Sequence, residues 1–109
     1  MPYDEKLAER IRAKLKSARG LTEKKMFGGV GFMVNGNMAC GVHKQDLIVR
    51  LSDAEFERAL KHEHVRVFDM TGRPMKGWLL ISPPALTTDN LLHTWIERSM
   101  EFARSLPHK

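Results

Sequence analysis

"KKMFGGVGFMVNGNMACGV", residues 24–42, carries five of the chain's eight glycines. Such a run either cradles a phosphate or lets a sheet turn and pack closely, and the two readings describe different proteins. A phosphate cradle needs a strand, a glycine turn and then a helix whose first amides face the anion. Here the glycines run on into more strand-like sequence, and neither G-x-x-x-x-G-K-[ST] nor G-x-G-x-x-G is present. Asn35-Gly36 between two apolar runs signals a type I′ hairpin, whose two central residues both need positive φ. It pairs residues 30–34 with 38–42. Gly28 and Gly29 then read as a tight turn or bulge. Gly31 and Gly41 read as strand positions where another backbone or a helix comes close. The cluster is architectural.

Outward from this hairpin the periodicity changes on both sides. Upstream, Asp4 can cap a helix in which Leu7, Ile11, Leu15 and Ala18 form one apolar stripe, about four turns long. Gly20 supplies the left-handed residue that ends it, and "TEKKMF" at 22–27 is extended. Downstream, "HKQD" is a polar turn and "LIVRL" at 47–51 a further strand. These spacings leave no room for crossover helices, so the strands are antiparallel neighbours. Ser52 with Glu55 forms a capping box for a second helix, with Phe56, Ala59 and Leu60 as its apolar edge and its end near His62. "VRVFDM" and "KGWLLI" are two more strands joined by "TGRP", and Pro83-Pro84 stops the sheet. Thr87 or Thr88 caps a last helix in which Leu91, Leu92, Trp95, Ile96, Ser99, Ala103 and Leu106 share a face. The expected fold class is α+β. It has two layers, a single antiparallel sheet of five to six strands covered by three helices, in the order α-β(3-4)-α-β(2)-α.

With 109 residues, 42% hydrophobic and 28% charged, the chain has the length and composition of one soluble domain, 1–109. No apolar run approaches the roughly 20 residues that span a bilayer. The N-terminal "MPYDEKLAERIRAKLK" has no signal-peptide core. A single cysteine forms no intrachain disulfide and fits a reducing compartment. The expected location is cytoplasmic, with no membrane partner.

The net charge of +5 is unevenly spread. Residues 12–25, "RAKLKSARGLTEKK", hold six basic residues against Glu23 alone, whereas 52–64 is balanced to acidic. Arg12, Lys16, Arg19, Lys24 and Lys25 are therefore the candidates for binding nucleic acid or an acidic partner; a solvated helix face is the plainer alternative. Stacking aromatics interleaved with them are missing, apart from nearby Phe27, which argues against single-strand or base recognition. Cys40, among small and apolar neighbours, reads as a core thiol, with His43 the one nearby group that could activate it. His62 and His64 would share a face if extended, but no four-ligand zinc set accompanies them; solvated histidines at a helix end are the alternative. Trp78 and Trp95 read as core anchors, and Met33, Met70 and Met75 stay open as an adaptable binding face. No G-x-S-x-G, H-E-x-x-H or C-x-x-C occurs. The expectation is no catalytic set, no metal and no cofactor.

"RGLTEKKMFGGVGFMVNGNMACGV", the following "LIVRL" and the later "FDMTGRPMKGWLLI" resemble the N-terminal domain of the TfoX/Sxy competence regulators, over about residues 5–105. The resemblance implies a two-layer fold related to secretion-chaperone-like domains. It also implies a bacterial origin and a role in transcription regulation of DNA-uptake genes, through protein contacts with a promoter-bound activator. Its motif positions here are Lys25, Met26, Phe27, Gly28, Gly29, Gly31, Phe32, Gly72, Gly77 and Trp78, most of them structural. Regulators of the family carry a second, helical domain; this chain ends at Lys109, so the expectation is a stand-alone N-terminal module. The leading reading is a small non-catalytic binding module with a transcription-associated protein partner. Direct DNA binding through the basic residues and a small ligand or enzyme pocket near Cys40 are the alternatives. A homodimer through the sheet edge or face is a further expectation.

Overall fold

The computed structural model describes residues 3–16, 18–26, 29–69 and 76–107. The Asp4 carboxylate accepts the amides of Lys6 and Leu7 at 2.9 and 3.2 Å and starts α1, Glu5–Leu15. Four strands follow: β1 (Leu21–Met26), β2 (Gly29–Val34), β3 (Asn37–His43) and β4 (Asp46–Arg50). Then come α2 (Asp53–Ala59), β5 (Val65–Val67), β6 (Trp78–Ile81), a 3-10 turn over Pro83–Leu86 and α3 (Asp89–Ser105). All six strands form one antiparallel sheet in the order β1-β2-β3-β4-β6-β5. The α+β expectation holds, at the upper strand count.

Asn35 (φ 53°) and Gly36 (φ 83°) make the primed turn that the sequence announces. Val34 pairs with Asn37 and Val30 with Val42, the register slipping between Phe32 and Met33 so that Ala39 is the extra residue of a bulge. Ser52 caps α2 through the Glu55 amide and Thr88 caps α3 through the Leu91 amide.

Three local expectations are corrected. The first helix ends at Leu15, so Gly20 does not terminate it; its φ of 72° instead lets the chain meet the hairpin turn, where the Gly20 carbonyl accepts the Asn35 amide at 3.1 Å. The second helix ends at Ala59 with Leu60 as its cap, short of His62, and Leu60 is 37% exposed instead of lying on the apolar edge. On α3 the buried stripe is Leu92, Trp95, Ile96, Ser99, Met100 and Ala103. Leu91, at the outer margin of that stripe in the first turn, is 44% exposed.

The helices lie on one face of the sheet, α3 across β2, β3 and β4 and α1 on β3. Between the layers are Leu7, Ile11, Phe32, Leu47, Leu79, Ile81, Leu92 and Ile96, all buried. The opposite face has its own small cluster of Met38, Ile48, Phe68 and Leu80, with Met33 and Trp78 partly buried against it. Hence "LIV" at 47–49 is buried at every position, as a strand covered on both faces must be. Pairing runs straight across this second face through Lys24, Gly31, Gly41, Ile48, Leu80 and Arg66. At its centre two glycines oppose each other. A Cβ on Gly41 would stand 2.4 Å from the Val30 carbonyl oxygen, and one on Gly29 1.9 Å from that of Val42. The Gly41 contact fits its reading as a strand position of close approach, whereas Gly29, expected in a tight turn or bulge, instead opens β2 opposite Met26 and makes the tighter contact.

Among the described residues no helix is long and apolar enough to cross a membrane.

Candidate functional site: a groove between the first and last helices

Ion pairs fasten α1 to α3. Arg10 meets Asp89 at 3.4 Å and the Lys14 ammonium donates to Glu97 at 2.7 Å, which holds the Glu97 carboxyl below its ordinary range. Beyond Lys14 the first helix ends while α3 continues for two more turns. The space left is a groove of about 670 Å³. Its floor is Leu15, Ala18, Ile96 and Met100; its rim is Arg19, Glu101 and Arg104 beyond the Lys14–Glu97 pair. Leu15 and Met100 are buried members of the main core, so the floor is anchored. Neither Arg19 nor Arg104 pairs with a carboxylate among the described residues. An apolar trough with unpaired guanidiniums at its open end suits an apolar segment carrying an acidic side chain.

The five basic candidates do not form one patch. Arg12 is spent: its guanidinium grips both carboxylate oxygens of Glu23 at 2.8 and 2.7 Å and also meets Glu9 and Glu5. That clamp raises the Arg12 pKa further and lowers that of Glu23. Lys16, Arg19, Lys24 and Lys25 are exposed. On β1, Glu23 turns to the helix side to meet Arg12, so Lys25 shares that side and Lys24 points to the other face. Only Arg19 lines the groove.

Of the motif positions, Gly29, Gly31 and Phe32 are buried in β2, and the Met26 backbone closes the β1–β2 ladder opposite Gly29. Gly77 has φ 93° and its carbonyl accepts the Leu51 amide at 2.8 Å, joining β6 to the start of α2. Trp78 is half-buried, edge-on to Phe68 at 6.4 Å, with the Arg50 guanidinium 5.2 Å from its ring. Trp95 is buried, as expected of an anchor. Phe27, Gly28, Gly72, Met70, Met75 and the "TGRP" turn lie outside the described residues.

Cys40 and His43 sit three residues apart on one strand and so point to opposite faces. Cys40 is fully buried under α3, where burial pushes its thiol up to about 12 against the opposing effect of a Ser99 hydrogen bond. The structure thus does not join the two into one pocket. His62 and His64 lie in a turn instead of a strand; His62 stands edge-on to Trp95, with ring centroids 5.6 Å apart.

The groove's main contributors, Lys14, Glu97, Met100, Glu101 and Arg104, escaped the sequence reading. Their only signal is that both apolar stripes run to the helix ends; nothing in their spacing shows that the two helices lie side by side.

A family model for the TfoX N-terminal domain matches residues 13–103, from the last turn of α1 through nearly all of α3. The chain belongs to this family. No curated protein and no solved structure matches it. The TfoX-domain match takes in the whole sheet and every groove residue except Arg104.

Proposed function

We propose that this TfoX N-terminal domain is a non-catalytic binding module of competence-related transcription control, which acts by holding a segment of a protein partner in the α1–α3 groove. The observation that carries the reading is the groove itself. Its apolar floor is fixed in the core, and Arg19 and Arg104, without a carboxylate partner among the described residues, select an acidic flank on the occupant. Family membership supports the regulatory setting, and the burial of Cys40 away from His43 supports a role without chemistry at that cysteine.

The test is genetic, with a folded variant. Deleting the gene in the organism that encodes the chain lowers transcripts of its DNA-uptake genes. Re-expressing the wild type restores them, whereas Arg19→Glu/Arg104→Glu, confined to the exposed rim, does not. Transcripts unchanged by deletion, or fully restored by the double variant, overturn the reading.

Direct DNA binding is the second reading, favoured by Lys16, Arg19, Lys24 and Lys25, which are exposed and have no carboxylate partner among the described residues. Even with all four on phosphates, the logarithmic salt dependence would have a slope of at most about 3–4. Arg12→Gln would leave that slope unchanged. Retention of duplex DNA at low salt, lost on neutralising those four residues, would establish this reading instead.

A further inference from the structure

Two smaller concavities meet where α2 gives way to the turn before β5 and lies beside the N-terminal half of α3. One, of about 230 Å³, is lined by Glu55, Arg58, Ala59, His62 and Arg98. The other, of about 300 Å³, adds Glu63, His64, Ala85, Leu91, Thr94 and Trp95. His62 and Arg98 belong to both, so the two form one bipartite recess with a polar end and a largely apolar end. Together they reach the lower part of the roughly 300–1,000 Å³ range of small-molecule sites.

Trp95, in the apolar cavity, contacts both residues that the two cavities share. Arg98 lies over its ring at 5.6 Å and His62 stands edge-on to the same ring at 5.6 Å. Stacking on an aromatic face restrains a guanidinium and leaves its outward N–H groups free to donate. Among the described residues, neither Arg58 nor Arg98 has a carboxylate partner, whereas Arg10, Arg12 and Arg66 all do. The three donors are carried by three separate elements, α2, the turn and α3. That arrangement suits a tetrahedral oxyanion better than a planar carboxylate, which presents two oxygens in one plane. Glu55 is the one carboxylate in the polar cavity, and it favours a head that can keep a proton to donate. A phosphate monoester can do so near neutral pH, its second pKa being about 6. At the other end Leu91, 44% exposed in the free chain, gives an apolar body something to cover.

We propose that this recess binds an organic phosphate monoester, the phosphate held by Arg58, His62 and Arg98 and its apolar body lying against Leu91 and the Trp95 edge. The site draws on residues separate from those of the α1–α3 groove and stands or falls without it.

Amide NMR titrations of the full chain with phenyl phosphate, inorganic phosphate, benzoate and phenol, each alone, test this. Phenyl phosphate is expected to produce saturable shifts at Arg58, His62, Leu91 and Arg98, with the other three probes weaker. Arg58→Gln and Arg98→Gln should each weaken it about tenfold, equivalent to about 1.4 kcal/mol. Arg104→Gln, on the other groove, should not change it. Arg58 is exposed, so its variant keeps the fold even if loss of the Arg98 stacking disturbs α3. No saturable shift at millimolar phenyl phosphate overturns the proposal, as do shifts confined to the α1–α3 groove. Benzoate or inorganic phosphate binding as tightly as phenyl phosphate overturns it too, by removing the phosphate or the apolar contribution.

Discussion

Cys40 and the strand glycines show how tightly single positions are held. With its thiol fully buried and pushed up to about 12, Cys40 is neither accessible nor ionised at neutral pH. The folded chain should therefore resist iodoacetamide and take up one equivalent once denatured; fast labelling of the native protein would mean that the seam between α3 and the sheet opens. The core reading of Cys40 was legible from its small apolar neighbours. Its separation from His43 was legible too, once the segment is a strand, because side chains alternate across the sheet. Gly29 offers a sharper test. Its missing Cβ would meet the Val42 backbone oxygen at 1.9 Å, and a strand in the middle of a sheet has nowhere to move. Gly29→Ala should cost about 3 kcal/mol or more. Gly20→Ala should cost only about 1–2 kcal/mol, the strain of an alanine at positive φ, because the atom 2.4 Å from its Cβ is the end of the Asn35 side chain, which can turn aside. Urea midpoints of the two variants decide this, and equal losses would refute the close-approach account.

Elements whose signals are local could be read before any coordinates. Asp4, Ser52 and Thr88 cap their helices by bonds within three residues, and Asn35-Gly36 sets its turn by itself. Element ends fixed by distant partners could not. Gly20 takes its left-handed conformation where its carbonyl meets Asn35, and no spacing within residues 5–20 reports that contact. The Arg12–Glu23 clamp, which staples α1 to the edge strand β1, was hidden for the same reason; by sequence Arg12 looked like one more free cation. The clamp makes a prediction about pH. Arg12 lowers the Glu23 pKa in the folded chain, so the unfolded chain binds that proton more readily. The stabilisation is complete above the unfolded carboxyl value of about 4.3 and fades as pH falls through the lower folded value. For a pair this exposed it amounts to no more than about 1 kcal/mol. The stability gap between wild type and Glu23→Gln should thus shrink between about pH 7 and about pH 3. A gap that widens on acidification would refute the clamp's role.

Across the whole molecule, two-sided coverage of the sheet decides where the fold is strongest. The sequence announced one antiparallel sheet under three helices, yet the second apolar cluster was legible only in the unbroken "LIV" of β4. Phe68, its largest buried member, follows Val67, and no apolar alternation in "VRVFDM" sets it apart as the member of a second face. The groove was illegible for a related reason, since two stripes on helices far apart in sequence do not say that they adjoin. Coverage now ranks the strands. Every residue of β3 is buried, and β4 is buried at 47–49, with α3 over one face and the Met38–Ile48–Leu80–Phe68 cluster on the other. At the edge, β1 is ladder-bonded on one side only and exposes Thr22 together with Glu23, Lys24 and Lys25, whose charges also blunt edge-to-edge pairing. Opening β1 uncovers little apolar surface, while opening β3 separates both layers at once. In native-state hydrogen exchange, the amides of Cys40–Val42 and Leu47–Val49 should therefore exchange only with global unfolding and share its denaturant dependence. Those of Thr22–Lys25 that face away from β2 should exchange by local opening, nearly independent of denaturant. If β1 proved as protected as β3, something beyond this chain's own ladder would be covering that edge, and a second copy paired along β1 would be the first arrangement to test by sedimentation.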